Sequence, residues 1–349
     1  MVLNRNRSYQ NGVRARALAL RCICTKLFLL PGFRGVTINT QDILISAIVP
    51  AYKTELYLDK FLEKIPEQSI FPYLEVVIDL NLPSSTELEI VRRHQAKLGK
   101  HLVVLKNSEL RSISSSMNNA MLNSKGKYIA IWNVDDLRTT NSLESQAKAL
   151  ELNKDATCAV GIYQKVSTFG ETNGVVVHEL DLSPAKVLTG MHLGPFLMFP
   201  HEILEKIGRF DEQLRSGGDF DFAIRLARAG SIVSTESLLG WYLDAGLGAS
   251  TRPNSLQPVE RSVIELRYGI FEKIDPRFIP ATYAYSVPTL QFNGVANSVE
   301  SCFDDYGDYM KSKLQKFLAD NPLPKIGRGR RLLDRFSGSL KKRFTSPAQ

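Results

Sequence analysis

The chain has 349 residues, of which 44% are hydrophobic and 23% are charged, a composition typical of a globular protein with a sizeable core. This composition excludes intrinsically disordered and collagen-like proteins. The net charge of +8 is concentrated at the two ends, because residues 1–41 and 325–349 each carry +7, whereas residues 42–324 carry 29 basic and 35 acidic side chains. The acidic body argues against a nucleic-acid-binding protein.

The basic ends have two interpretations, which the sequence leaves open. Polybasic segments gain roughly 1 kcal/mol per charge near anionic lipid headgroups, so the ends could hold the protein at a membrane face. Alternatively, they are solvated tails, and we predict that residues 1–41 are poorly ordered. The apolar stretch 17–33 is interrupted by Arg21 and Lys26, which predicts no transmembrane helix. Four irregularly spaced cysteines fit a reducing compartment, so we expect a cytoplasmic protein, peripheral on the cytoplasmic membrane face if the ends bind lipid.

The first part of the chain alternates strand and helix patterns. Apolar runs predict strands at 43–51, 74–80, 102–105 and 128–132, and helical spacing predicts helices at 56–65, from the turn at 81–85 to about 97, near 115–123 and at 142–150. This alternation predicts an α/β protein with a mostly parallel sheet and right-handed crossovers.

Parallel sheets bind ligands beyond the carboxyl ends of their strands. This rule selects three segments, Pro50–Lys53, Leu80–Ser85 and Asn133–Asp136. None of them contains a glycine-rich dinucleotide motif or a Walker motif. A nucleotide bound here would therefore be held in another way.

The alternation ends in the second part of the chain. The pattern predicts strands at 161–169 and 174–178, a short helical segment at 203–208, and a helix at 220–229 that ends at Gly230. Helical spacing returns at 259–272 and 308–318. We therefore expect a helical C-terminal region over residues 251–324, followed by the basic tail 325–349.

Two adjacent carboxylates, Asp135 and Asp136, directly follow the apolar strand at 128–132. Two such carboxylates repel each other unless a cation compensates them. A divalent ion that bridges a nucleotide diphosphate is one explanation, because Mg²⁺ and Mn²⁺ take hard oxygen ligands. The alternative, which is favoured for this pair in isolation, is a cap for the helix at 142–150.

The segment Gly217–Asp221 opens the helix at 220–229. Its glycines permit the close approach of a ligand, and Asp219 is placed to act as the base that takes a proton from an acceptor hydroxyl. The alternative for Asp219 is an N-cap. Asp221 and Arg225 have the spacing of an ordinary helical ion pair.

Four segments in this order resemble glycosyltransferase family 2: AIVPAYK, EVVIDLNLPSS, SMNNAMLNSKGKYIAIWNVDD and GRFDEQLRSGGDFDFAIRLARAG. The resemblance covers roughly residues 43–250. It implies the GT-A fold, a Rossmann-like, mixed and mostly parallel sheet flanked by helices. It also implies a domain over 42–250 with a nucleotide-binding half at 42–150 and an acceptor half at 151–250.

The resemblance also implies roles for single residues. Pro50, Ala51 and Tyr52 would lie against the nucleobase, and Asn118 would line the nucleotide site. Asn133, Val134 and Asp135 take the place of the family's Asp-x-Asp motif, with Asp135 as the ligand of Mn²⁺ or Mg²⁺. Asp219 matches the catalytic base, and His192 and Gly218 match the acceptor side.

The sequence departs from the family pattern at several positions. Asn133 replaces the first Asp of Asp-x-Asp, so one ligand charge is lost. Asn81 stands at the base-reading position, which leaves uracil, thymine and guanine open. Arg252 substitutes for a late histidine that clamps the diphosphate, or it is an exposed linker arginine. His192 and His201 are metal or phosphate ligands, or ordinary polar residues.

The resemblance implies a single-displacement transfer of a sugar from a nucleotide-diphosphate sugar to a glycan or a lipid-linked acceptor, with inversion. Two other classes stay open. A catalytically silent sugar-nucleotide or glycan-binding protein is compatible with Asn133, but it would have no use for a base at Asp219. A nucleotidyltransferase would ordinarily need a glycine-rich basic loop after the first strand, and Pro50–Lys53 is not one.

Overall fold

A computed structural model of the chain describes residues 43–245, 255–303 and 305–322. The predictions for the two basic ends and for Arg252 lie outside these residues. Within the same residues, no helix has the length and apolar content needed to cross a membrane.

The first part of the chain forms the predicted alternation of strands and helices. The elements are β1 (Ile45–Ala51), α1 (Leu58–Lys64), β2 (Leu74–Asn81), α2 (Ser85–Leu98), β3 (Leu102–Asn107), α3 (Ile113–Leu122) and β4 (Tyr128–Ile131). The strands β1, β2 and β4 are buried on both faces, which explains why they are nearly continuous apolar runs, whereas β3 at the sheet edge is only partly buried.

The second part contains more strands than the sequence predicted. Its elements are β5 (Leu137–Arg138), α4 (Ser142–Leu152), β6 (Ala156–Val166), β7 (Val175–Val177), α5 (Pro184–Val187), β8 (Met198–Pro200), α6 (Ile203–Ile207), α7 (Gly218–Ala229) and β9 (Ser231–Leu243). The strands β8 and β9 were missed. The first has three residues and ends at a proline, and the second contains the polar run Ser234–Ser237.

The C-terminal region contains helices, as predicted, and a hairpin that was not predicted. Its elements are α8 (Gln257–Tyr268), α9 (Ile279–Thr282), β10 (Thr289–Phe292), β11 (Val295–Ser298), α10 (Tyr306–Tyr309), a π-helical turn (Met310–Leu314) and α11 (Gln315–Asp320). The strands β10 and β11 pair antiparallel and form a sheet of their own.

The main sheet is mixed and has the order β3-β2-β1-β4-β8-β6-β9-β5, with β7 paired to β6. The strands β1 to β4 run parallel to one another, and β8 runs antiparallel to both β4 and β6. The chain moves from β1 outward to β3 and then returns to the other side of β1. Such a switch point opens a crevice at the carboxyl ends of the strands, which is where α/β proteins bind ligands.

The C-terminal region shares a hydrophobic core with the helices that precede it. Side chains of α8, such as Val263 and Leu266, belong to the same buried cluster as Phe222 of α7 and Met117 of α3. A second cluster on the other face of the sheet includes side chains of α1, α2 and α4. The C-terminal region is therefore packed against the helices α3 and α7.

A fully buried ionic network also joins the two regions. Arg267 of α8 donates to Asp221 Oδ1 at 2.6 Å and to Asp211 Oδ2 at 2.8 Å. Asp221 pairs with Arg225 at 2.8 Å, which confirms the predicted ion pair. Burial alone would raise the pKa of Asp221, but Arg225 and Arg267 hold this pKa below its usual value. The charges are compensated within the core.

Candidate active site

The first wall of the candidate site lies at the carboxyl ends of β1 and β2. Ala51 ends β1 in register with Leu80 of β2, and Tyr52 follows it with 44% of its surface exposed. Lys53 and Leu82 have positive φ angles of 57° and 46°. Non-glycine residues in this region are strained and cluster at functional sites. The two neighbouring loops thus hold an unusual backbone where Pro50, Ala51 and Tyr52 were predicted to meet the nucleobase.

A single buried carboxylate ties these two loops together. Glu87 Oε1 accepts from the backbone N–H and the hydroxyl of Thr54, each at 2.7 Å, and Oε2 accepts from Ser84 N at 2.9 Å. Ser84 Oγ accepts in turn from Glu87 N at 3.2 Å, which completes a capping box at the start of α2. Glu87 therefore fixes the loop after β1 to the loop after β2.

Asn81 points into the protein. Its amide nitrogen donates to Ser116 Oγ at 3.0 Å, and its amide oxygen accepts from Arg111 N at 3.2 Å. Asp79 lies in the same network and accepts from Ser116 Oγ and from Asn119 Nδ2, both at 2.6 Å. The side chain of Asn81 thus supports the Arg111 loop, and reading a base with it would require exchanging these hydrogen bonds.

Asn118 is buried and holds the segment that precedes α7. Its amide oxygen accepts from Phe210 N at 2.9 Å, and its amide nitrogen donates to Phe210 O at 2.8 Å and to Glu212 Oε1 at 2.9 Å. These bonds use both ends of the amide. A direct contact of Asn118 with the nucleotide stays a prediction, and its visible role is to support the wall behind the site.

The loop after β4 presents the two adjacent carboxylates. Trp132 N donates to Ile48 O at 3.1 Å, so this loop lies beside the end of β1. Asp136 is buried and accepts from Asn133 Nδ2 at 3.0 Å and from Leu243 N at 3.1 Å. Val134 is buried in the hydrophobic core, so only its backbone is available to a ligand.

The electrostatics of this loop favour a cation. Burial raises the pKa of Asp135, and burial together with the charge of Asp135 raises the pKa of Asp136 to about 8. Burial and the charges of Asp136, Asp244 and Asp135 likewise raise the pKa of Tyr242 to about 12. The negative potential and the hard oxygen donors suit Mg²⁺ or Mn²⁺.

Within the described residues, no group of three or more His, Cys, Asp or Glu side chains is placed to hold a metal ion. A divalent ion at Asp135 would therefore take most of its oxygen ligands from the diphosphate and from water, as Mg²⁺ commonly does. The alternative that an Asp of this pair caps the following helix is wrong, because the N-cap position of α4 is Asn141.

Asp219 lies in the first turn of α7 and is exposed. The N-cap position is Gly217, so the alternative of an N-cap at Asp219 is wrong. Its Oδ1 accepts from Phe220 N at 2.8 Å. Desolvation by the surrounding protein, with a contribution from the charge of Glu260, raises the pKa of Asp219. The position thus combines access for a substrate with an increased proton affinity.

The two glycines before Asp219 allow two helices of the chain to approach. A Cβ at Gly218 would lie 2.5 Å from Ser114 Oγ of α3, and a Cβ at Gly217 would lie 3.1 Å from Ile264 Cδ1 of α8. The sequence explained these glycines by the approach of a ligand. In the structure they place the start of α7 between α3 and α8.

The two histidines have different surroundings. His192 Nδ1 lies 2.9 Å from Glu179 Oε2 and Nε2 lies 2.8 Å from Thr189 Oγ1, so both ring nitrogens have partners. His201 follows β8 at the amino end of β4, because Tyr128 pairs with Pro200 in the antiparallel register. That is the opposite edge of the sheet from Asp135, so the alternative of a ligand role for His201 at this site is wrong.

Sequence reasoning gave no role to two buried carboxylates that hold the site loops, Glu87 and Glu260. The first has a readable signal, since Ser84 and Glu87 have the spacing of a capping box. The second accepts from the backbone of residues 215–217, which precede Asp219, across more than 40 residues of sequence. No short-range pattern could have indicated it.

The comparisons with known proteins agree with this geometry. Residues 46–208 match the model of glycosyl transferase family 2. An uncharacterized glycosyltransferase of Methanocaldococcus jannaschii is 29% identical over 191 residues, which cover 52% of this chain and 64% of that protein. An uncharacterized glycosyltransferase of Rickettsia prowazekii is 26% identical over 246 residues, which cover 68% of this chain and 74% of that protein. The chain thus spans less than two thirds of the Methanocaldococcus protein.

Two solved structures share the fold at low sequence identity. TarS residues 1–349 of S. aureus, solved with UDP, superposes with a TM-score of 0.52 and 17% identity over 70% of this chain and 73% of that one. GalNAc-T7, solved with UDP, GalNAc and Mn²⁺, has a TM-score of 0.54 and 11% identity over 82% of this chain and 59% of that one. The predicted GT-A fold is confirmed, and residues 46–208, just under half of the chain, match the family that the sequence resembles.

Proposed function

We propose that the protein transfers a sugar from a nucleotide-diphosphate sugar to a hydroxyl group of a glycan or lipid-linked acceptor, with inversion at the anomeric carbon. The observation that carries this proposal is Asp219. It is an exposed carboxylate of raised pKa, held at the start of α7 by a loop that packs between two helices.

Asp219 acts as the general base. It takes the proton of the acceptor hydroxyl as the oxygen attacks the anomeric carbon, and a single displacement at that carbon inverts its configuration. A base is most effective when its pKa lies near the operating pH, so the desolvation of Asp219 increases its proton affinity in the useful direction.

The loop after β4 receives the leaving group. Asp135, supported by Asn133 and Asp136, would hold Mn²⁺ or Mg²⁺, and a divalent ion bound there stabilises the negative charge of the departing nucleoside diphosphate. Arg252 would contribute a second positive charge to the same group. The neighbours motivate the choice of ligands to test, since TarS was solved with UDP-GlcNAc and GalNAc-T7 with Mn²⁺.

A lipid-linked acceptor would give the basic ends a role. We infer that residues 1–41 and 325–349 bind anionic headgroups and keep the enzyme at the cytoplasmic face of a membrane. The test is sedimentation with phosphatidylglycerol vesicles. The full chain should bind, and a variant with the basic residues of both ends changed to Gln should stay in solution. Equal binding of the two proteins would contradict the inference.

A second candidate function is a catalytically silent sugar-nucleotide or glycan-binding protein. It is favoured by Asn133, which removes one charge from the metal-binding motif, and by Asn81 and Asn118, whose amides are engaged within the protein. This candidate predicts that a nucleotide sugar binds without turnover, and that Asp219→Asn changes nothing measurable.

The first experiment is a thermal-shift and hydrolysis screen of UDP-, GDP-, dTDP- and CMP-sugars with and without Mn²⁺. We expect one nucleotide to stabilise the protein in a metal-dependent way. This stabilisation should be lost in Asp135→Ala and kept in Asp219→Asn, in which turnover should disappear. Stabilisation without turnover in the wild type would favour the silent sugar-nucleotide-binding protein. No stabilisation by any nucleotide would contradict the transfer reaction and favour a silent glycan-binding protein.

A further inference from the structure

The loop before α7 presents a row of backbone donors to one carboxylate. Arg215 N lies 2.9 Å from Glu260 Oε1, Ser216 N lies 2.7 Å from Oε2, and Gly217 N lies 2.9 Å from Oε2. Glu260 is fully buried, and the hydroxyl of Tyr285 donates to its Oε1 at 3.3 Å. Three consecutive N–H groups thus converge on a side chain of α8.

Such a set of donors is an anion-binding feature. Consecutive backbone N–H groups and the N-terminus of a helix both attract negative charge, and proteins commonly use them to bind phosphate. In this chain, the carboxylate of Glu260 occupies the position that a bound anion would take. Burial raises the pKa of Glu260, and the three N–H groups oppose this rise by bonding to the charged form.

The same loop is held on its other side by α3. Asn118 bonds to both backbone groups of Phe210, and Ser114 Oγ donates to Leu214 O at 2.8 Å. Gly217 lies against α8, since a Cβ there would be 3.4 Å from Glu260 Cβ. The carboxylate of Asp219 follows this loop directly and lies in the open. Its Oδ1 accepts from Phe220 N in the same turn of α7, so its position is set by this turn and by the loop that precedes it.

We propose that Glu260 is a positioning residue for the transfer reaction: it holds the loop 215–217 and thereby fixes the carboxylate of Asp219 relative to the acceptor. The C-terminal region is then a part of the active site. This inference rests on the proposed function, because it takes Asp219 as the base. Small displacements of a reacting group are costly, and a misplacement of 1 Å can reduce the rate by about a hundredfold.

The test is Glu260→Gln, which keeps the size of the side chain but places an amide NH₂ group where the loop needs an acceptor. The matched control is Glu265→Gln. Glu265 is a second buried carboxylate on α8, and it accepts from Arg261 Nε at 2.8 Å and not from the loop. Both variants are compared with the wild type at a temperature at which all three are folded.

We expect Glu260→Gln to lower kcat on the order of tenfold or more while the dissociation constant of the nucleotide sugar changes less than about twofold. The rate of hydrogen exchange of the backbone amides 215–220 should increase on the order of tenfold or more. Glu265→Gln should lose thermal stability without either effect. An unchanged kcat in Glu260→Gln, or an equal loss in both variants, would overturn the inference.

Two further measurements keep the test decisive. If Glu260→Gln does not fold, Tyr285→Phe removes one hydrogen bond of Glu260 and should lower kcat severalfold with donor binding intact; an unchanged kcat overturns the inference. If the wild type shows no turnover, the proposed function fails, and hydrogen exchange alone decides whether Glu260 holds the loop. If turnover is lost in Asp219→Asn but stays normal in Glu260→Gln, the positioning role of Glu260 is overturned and the proposed function stands.

Discussion

In both halves of the candidate site, a buried carboxylate accepts hydrogen bonds from backbone N–H groups of the loops, but the sequence distance between carboxylate and loop differs. In the nucleotide-binding half, Glu87 accepts backbone N–H groups from the loops after β1 and β2, and its capping partner Ser84 is three residues away. In the proposed acceptor half, a loop donates three backbone N–H groups to Glu260, which lies 43 to 45 residues later in the C-terminal region. The first half is thus held by its own helices, whereas the second depends on the C-terminal region.

The largest effect should come from the acceptor half. Asp219→Asn keeps the shape and the helix but removes the base, so kcat should fall by a factor of about 10² to 10⁴. The dissociation constant of the nucleotide sugar should stay near that of the wild type, because this residue belongs to the other half of the site. Steady-state kinetics with the identified donor measure kcat, and calorimetry measures the dissociation constant. A large loss of affinity for the nucleotide sugar would contradict the proposed separation of donor binding and base catalysis between the two halves.

The dependence on the C-terminal region can be measured as stability. Arg267→Met leaves Asp211 and Asp221 without their shared cation in the core, and breaking such a buried pair costs about 3–5 kcal/mol. Arg277→Met in the same region is the control, since Arg277 pairs with Asp275 at the exposed surface and its loss should change the free energy of unfolding little. Urea unfolding followed by circular dichroism gives both values. Similar losses in the two variants would argue against a network that joins the regions.

The comparison also explains what the sequence could predict. The strands β1, β2 and β4 were predicted because parallel strands buried on both faces are continuous apolar runs, and the partly buried β3 was predicted from its apolar run 102–105. The strand β9 was missed because it is only partly buried and contains polar residues such as Ser234 and Glu236. The hairpin of β10 and β11 had a readable signal, since Asn293 and Gly294 both have positive φ in its turn and such pairs favour tight hairpins.

The site was predicted in part for the same reason. Asp135 directly follows a strand and Asp219 lies at the start of a helix, which are local features that the sequence shows. Their roles in the site stay predictions. The partners of Asn118 could not be predicted, because Phe210 is 92 residues away and the contact exists only in the folded chain. Glu260 is a stronger example of the same limit. A residue that holds a distant loop leaves no pattern around itself in the sequence.

A smaller effect should come from the nucleotide-binding half. Glu87→Gln weakens the junction of the loops after β1 and β2, so the dissociation constant of the nucleotide sugar should rise severalfold and the free energy of unfolding should fall by about 1–2 kcal/mol. With saturating donor, kcat should change little. Glu89→Gln, an exposed neighbour on α2, should change neither quantity. A fall in kcat at saturating donor would show that the two halves are coupled.

The smallest expected effect that distinguishes the two halves of the site is a change in the pH dependence of kcat/KM. Asp219 must be ionised to accept a proton, so activity should fall as the pH drops through its pKa, which desolvation by the surrounding protein and the charge of Glu260 raise above the usual value. Glu260→Gln removes the nearby negative charge, which makes ionisation of Asp219 easier. The acidic limb of the profile should therefore move to lower pH in this variant, although the maximal rate is reduced. Glu87→Gln, in the other half, should leave the limb where it is. A limb that shifts equally in both variants would mean that the ionisation belongs to a group other than Asp219.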